Sequence, residues 1–181
     1  MNKGIQDAAR QSNDPTRPGG GNARGEKKVK IKVRADPGTD GRLVDWSYEA
    51  DFENGGGSGN NRELKFDKGP GFYRLEFSLD DDTDFDLAFL EEPTEAMWVA
   101  TGSHCPPPGP GDGGGEIDFE LVPVGKKLTV INRNKNEGTL CYALRFSGMR
   151  QANPEKPGTF VPPYVFDPIM INGGGGGGPI M

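Results

Sequence analysis

Apolar and polar residues alternate along most of this chain with the period of two that marks a strand with one buried face. In KKVKIKVR, Val29, Ile31 and Val33 fall on one side, and Lys28, Lys30, Lys32 and Arg34 on the other. VDWSYEADF sets Val44, Trp46, Tyr48, Ala50 and Phe52 against Asp45, Ser47, Glu49 and Asp51, the strongest strand signal in the chain. RELKF, GFYRLEFSL, FDLAFL and EIDFELV continue the pattern. They turn Leu64 and Phe66, then Tyr73, Leu75, Phe77 and Leu79, then Phe85, Leu87 and Phe89, then Ile117, Phe119 and Leu121 inward. AMWVA is a short apolar segment. LTVINRNKNEGTLCYALRF, from Leu128 to Phe146, reads as a β-hairpin closed by an Asn-rich loop. No long window shows the helical period; only the stretch up to Gln11 hints at a brief helix.

Strand-sized runs separated by Gly, Pro, Asn and Asp predict an all-β fold, an antiparallel β-sandwich of about eight to ten strands. Immunoglobulin-like topology is the commonest member of that class. The chain divides into a leader (1–26), a sandwich core (27–150), a Pro-rich connector (151–162), a C-terminal strand (163–172) and a Gly-rich tail (173–181). ENGGGSGNN reads as a loop, without the spacing of a phosphate-binding loop. Tyr164, Val165, Phe166, Ile169, Met170 and Ile171 form an apolar cluster beyond the connector. Asp167-Pro168 excludes a helix there and points to an edge strand, docked on its own sandwich or on a neighbouring copy.

Composition narrows this further. With 33% hydrophobic residues in 181, there is material for one core. The 29 glycines and 16 prolines are clustered, which suits linkers and tails around that core. No apolar run is long enough to cross a membrane as a helix, and no signal-like stretch opens the sequence, so the cytoplasm is the default expectation. Residues 1–34 hold nine Lys/Arg against three Asp/Glu, although the chain as a whole is −6. A basic first strand on an acidic body suggests docking between copies; the alternative is an edge strand kept soluble by its lysines. The absence of interleaved aromatics argues against nucleic acid.

Chemistry-bearing residues are sparse. His104 is the single histidine, and its neighbour Cys105 would point to the opposite face of an extended chain, a poor start for a nucleophilic pair. Cys141 should point away from the core; it pairs with Cys105 if the chain is exported and stays a thiol in a reducing compartment. Asp80, Asp82 and Asp84 could supply oxygen ligands to calcium, against the simpler reading of an acidic turn. Asx turns account for the Asn132, Asn134 and Asn136 series. Trp46 fits the core pattern, which leaves Trp98 as the one candidate platform for a carbohydrate.

The Asn-rich turn with Gly138, Thr139 and Tyr142, followed by Asp167, Pro168 and Asn172 in an Asp-Pro-x-x-x-Asn spacing, resembles small bacterial proteins of the DP-EP type. The resemblance covers roughly the last third of the chain and implies a small all-β fold with no established activity. Together these readings favour a non-enzymatic, self-assembling structural subunit without a cofactor, its partners other copies of itself. Lys28, Lys30, Lys32, Tyr164, Phe166, Ile169 and Ile171 are the expected contact residues. The alternative is a ligand-binding module for carbohydrate or calcium.

Overall fold

The computed structural model describes residues 25–60, 62–102, 104–119, 123–148 and 164–175. The expected leader helix, the connector, Leu121 and the end of the glycine tail lie outside them. In chain order the elements are β1 (Glu26–Pro37), β2 (Val44–Phe52), β3 (Gly57–Asn60), β4 (Glu63–Phe66), β5 (Phe72–Asp81) and β6 (Ala88–Phe89). A single helical turn, α1 (Pro93–Ala96), precedes β7 (Met97–Thr101), β8 (Ile117–Asp118), β9 (Lys127–Asn132), β10 (Glu137–Ser147), β11 (Tyr164–Phe166) and β12 (Ile169–Gly173).

These strands form two sheets packed as a sandwich. The first runs β2-β1-β5-β9-β8; the second runs β3-β4-β12-β10, with β6, β7 and β11 also paired to β10. Leu140 pairs with both Met170 and Thr101, and Leu144 with both Phe166 and Met97. β12 and β11 therefore line one edge of β10 in a single register, while β7 and β6 line the other. The inward residues are those the alternation marked: Val29, Ile31 and Val33 on β1, Leu75 and Phe77 on β5, Tyr142 and Leu144 on β10 are all buried. Aromatic rings join the layers, with Trp46 stacked on Phe146 at 4.9 Å and Tyr73 tilted against Phe66 at 4.7 Å.

Several expectations change. Leu128–Phe146 is not a hairpin: β9 belongs to the first sheet and β10 to the second, so residues 133–136 carry the chain from one layer to the other. Both strands alternate, but alternation reports a buried face and not the partner strand. The sheets are mixed, since β1 pairs with β5 and β12 with β4 in parallel. β1 is an interior strand between β2 and β5, not an edge. β12 is interior too, bonded to β10 on one side and β4 on the other. The expected loop at ENGGGSGNN contains β3, whose glycines permit a close approach. A Cβ on Gly57 would stand 2.4 Å from the Phe52 ring, and one on Gly59 would stand 2.7 Å from Ala50.

Cys141 lies on the outward face of β10, as the alternation requires, yet it is fully buried. Its cover is the segment between β7 and β8, tied down by a Cys105–Cys141 disulfide with Cα atoms 5.5 Å apart. That segment also bonds Val99 through the carbonyl of Gly111 and the amide of Gly113, shielding the free edge of β7. A cross-link across a sequence separation of 36 removes chain entropy from the unfolded state. Reduction should therefore lower stability by roughly 2–4 kcal/mol. Thermal denaturation with and without reductant checks this, and an unchanged Tm would show that the bond contributes nothing.

Candidate interaction sites

At one end of the sandwich, four buried polar residues meet where the chain passes between the sheets. Asn132 ends β9, Asn134 lies in the crossing turn, Asn172 sits on β12, and Glu116 enters just before β8; each is no more than 3% exposed. Asn132 Nδ2 donates to Asn172 Oδ1 at 2.8 Å, and Asn172 Nδ2 donates back to Asn132 Oδ1 at 3.2 Å. Asn132 Oδ1 also accepts from the Asn134 amide at 2.9 Å, the local Asx bond that the sequence favours. Asn134 adopts a positive φ of 46°, a conformation that Asn tolerates better than most side chains.

Glu116 completes the knot. One carboxylate oxygen accepts from the Asn136 amide at 3.0 Å and Asn136 Nδ2 at 2.7 Å; the other accepts from the Lys135 amide at 2.9 Å and Asn172 Nδ2 at 3.2 Å. Four N–H donors thus replace the water lost on burial. Asn134 holds the C-terminal segment from the other side, accepting from the Gly174 amide at 3.1 Å and donating to the Asp67 carbonyl at 3.0 Å. Glycine is required where that segment passes: a Cβ on Gly173 would lie 2.4 Å from the Lys68 nitrogen, and one on Gly174 2.8 Å from that of Glu137. The start of the glycine run is therefore structural.

The expected contact residues lie on β1 and in the C-terminal segment. Lys28, Lys30 and Lys32 pair with Glu76 on β5 at 3.1 Å, with Glu53 just past β2 at 2.5 Å and with Asp80 on β5 at 2.8 Å. Arg34 extends the row to Asp82 at 2.6 Å. The bonds from Lys30 and Lys32 hold the Glu53 and Asp80 carboxyls below their usual range. On the C-terminal segment, Phe166 is buried against Trp46, while Tyr164 stacks on Phe85 at 5.1 Å. Ile169 and Ile171 are half-buried.

Asp80 and Asp82 are held by Lys32 and Arg34, and Asp84 is exposed. Among the described residues, no three His, Cys, Asp or Glu side chains converge as a metal site would require. The turn is organised by Asp81, which nothing in the sequence distinguishes from its acidic neighbours. Asp81 accepts from the Thr83 hydroxyl and amide and from the Leu87 amide at 2.6, 3.1 and 2.7 Å. Burial pushes its pKa up, but these bonds and nearby Lys126 outweigh that and hold it below normal. Of the tryptophans, Trp46 is committed to the core stack. Trp98 is covered by the Arg145 guanidinium, 3.7 Å from its ring centre, which Glu95 anchors. His104 is exposed.

No protein-family model matches the chain, and no curated protein does. Among solved structures it is similar to the inclusion body protein PixA from Burkholderia cenocepacia J2315, at 8% identity over 82% of this chain and 97% of that one. The TM-score is 0.35, too slight a likeness to bear on function.

Replacing Glu116 by Ala removes the shared acceptor of four N–H donors, of which Asn172 Nδ2 keeps its bond to Asn132, and should cost about 2–3 kcal/mol, measured by denaturant unfolding. Asp81 and Asp167 should respond to pH with opposite signs. The depressed pKa of Asp81 means that its contribution is present at neutral pH and lost as pH falls through the folded-state value. Burial raises the pKa of Asp167 against the pull of Arg62, and its Oδ1 is buried without a partner. Its charge therefore opposes folding as pH rises through that value. Asp167→Asn should raise Tm at neutral pH and have little effect in acid, whereas Asp81→Asn should lower Tm at neutral pH.

Proposed function

We propose that this protein is a non-enzymatic building block whose copies associate by exchanging their C-terminal strands. The observation that carries this reading is the position of the β11–β12 segment. It is the last of the described elements, yet it fills the groove between β10 and β4 at the centre of the second sheet. Sixteen residues, 148–163, separate it from β10, and four of them are prolines. Such a length spans up to roughly 50 Å when extended. The same groove can therefore accept the segment from its own chain or from another with identical contacts, the situation in which swapping is thermodynamically cheap. Main-chain bonds on both edges supply the affinity of strand addition, and Phe166 and Met170 supply the buried side chains.

The basic strand plays no part in this reading, because its charges are matched at home. The setting that suits it is oxidising: the Cys105–Cys141 bond persists there and not in the reducing cytoplasm of the default expectation. Thr139 and Ile171 are register partners on β10 and β12. Mixing a Thr139→Cys chain with an Ile171→Cys chain during refolding should yield a disulfide-linked heterodimer, and electron microscopy of the wild type should show ordered assemblies. Monodisperse small particles together with no heterodimer would contradict the proposal.

A further inference from the structure

Beside the polar knot, the end of the second sheet and the connection from β7 to β8 leave a cleft of about 430 Å³ between them. The strand registers explain why it is unfilled. Gly138 faces Asn172 across β10 and β12, and Thr101 faces Leu140 across β7 and β10. Positions 138 and 140 share the inward side of β10, where a core normally carries packing side chains. Position 138 is glycine instead, and no atom lies within 4 Å of where its Cβ would stand. Leu140 gives the cleft an apolar floor, while Glu116 and Asn172 give it a polar wall.

That wall carries an unbalanced charge. Glu116 is 3% exposed and is held by four neutral N–H groups, with no ion-pair partner among the described residues. The Lys135 ammonium bonds the adjacent Gly115 carbonyl at 3.1 Å and makes no ion pair with the carboxylate. Glu137 adds a second negative charge on the lining. A buried carboxylate satisfied by neutral donors keeps its field, and that field acts most strongly where water is scarce. Asn136 donates to Glu116 from both its main-chain and its side-chain amide, leaving its side-chain oxygen as an acceptor beside the cleft.

We infer that this cleft binds a small organic cation, an ammonium head near Glu116 and Glu137 carried on a short apolar body that rests on Leu140. Neither strand exchange nor its absence affects this inference, because the cleft is complete within one sandwich. The test is titration of the full chain with n-butylammonium chloride at fixed ionic strength, followed by thermal denaturation and by NMR shifts of the Gly138 and Gly114 amides. Butan-1-ol and sodium butyrate serve as neutral and anionic counterparts. Butylammonium should raise Tm and shift those amides saturably, and neither counterpart should do so. Thr101→Phe places a ring in the mouth from an exposed strand position. It should weaken binding by roughly tenfold or more while leaving the Tm of the unliganded protein near that of wild type. Glu137→Gln should weaken binding more modestly and more at low salt. Equal shifts with butan-1-ol, unchanged binding in Thr101→Phe, or no saturation with butylammonium would each overturn the inference.

Discussion

A carboxylate and three carboxamides buried at one end of a sandwich must find all their hydrogen-bond partners inside the protein, and that requirement shapes much of this fold. Glu116 stands where the chain enters the first sheet from β7, and Asn132 and Asn134 stand where it leaves for β10. Asn172 brings the C-terminal strand to the same point. Each side chain bonds to groups from another crossing, so no crossing is satisfied alone. A half-made knot would strand buried donors, which makes its formation close to all-or-none. The C-terminal strand thereby becomes part of the structure that fixes how the two layers meet.

The surrounding packing is consistent with this dependence. Removing β12 would separate β4 and β3 from β10 and uncover Leu140 and Leu64 together. The aromatic stack reaches the same segment, with Phe166 against both Trp46 and Tyr48. Glycines at 173 and 174 let the backbone thread between the β4–β5 connection and the Asn turn, where any side chain would collide with main-chain atoms. The outer face of the first sheet is different in kind. Its rows of lysine and carboxylate neutralise one another at the surface, where such pairs add solubility and little stability.

Much of the core was legible in the sequence. The period-two pattern placed Val29, Ile31, Val33, Tyr73, Leu75, Phe77, Tyr142 and Phe146 inside, and all eight are buried. Pairing was not legible, because a strand's alternation is the same whether its neighbour adjoins it in sequence or lies far along the chain. That is why β9 and β10 read as a hairpin and why β1 and β12 read as edges. Pro168 reinforced the second error: it cannot donate a bond, yet its carbonyl accepts from Tyr142, so it sits inside the sheet between β11 and β12 without breaking the register. The Asn series reads as turn chemistry from its composition alone, and the Asx bond at Asn132 agrees. Glu116 gives no such local sign. As the first acid of EIDFELV it looks like any outward strand residue, because the donors that hold it come from residues 135, 136 and 172.

Amide hydrogen exchange on the monomeric protein tests most directly whether the C-terminal strand and the polar knot are integral to the fold. The amides of Met170 and Asn172 should exchange as slowly as those of Leu75 on β5 and Tyr142 on β10, all through global unfolding. Fast exchange along β12 while β5 and β10 stay protected would contradict the account, because the strand would then be an appendage on a sandwich that stands without it.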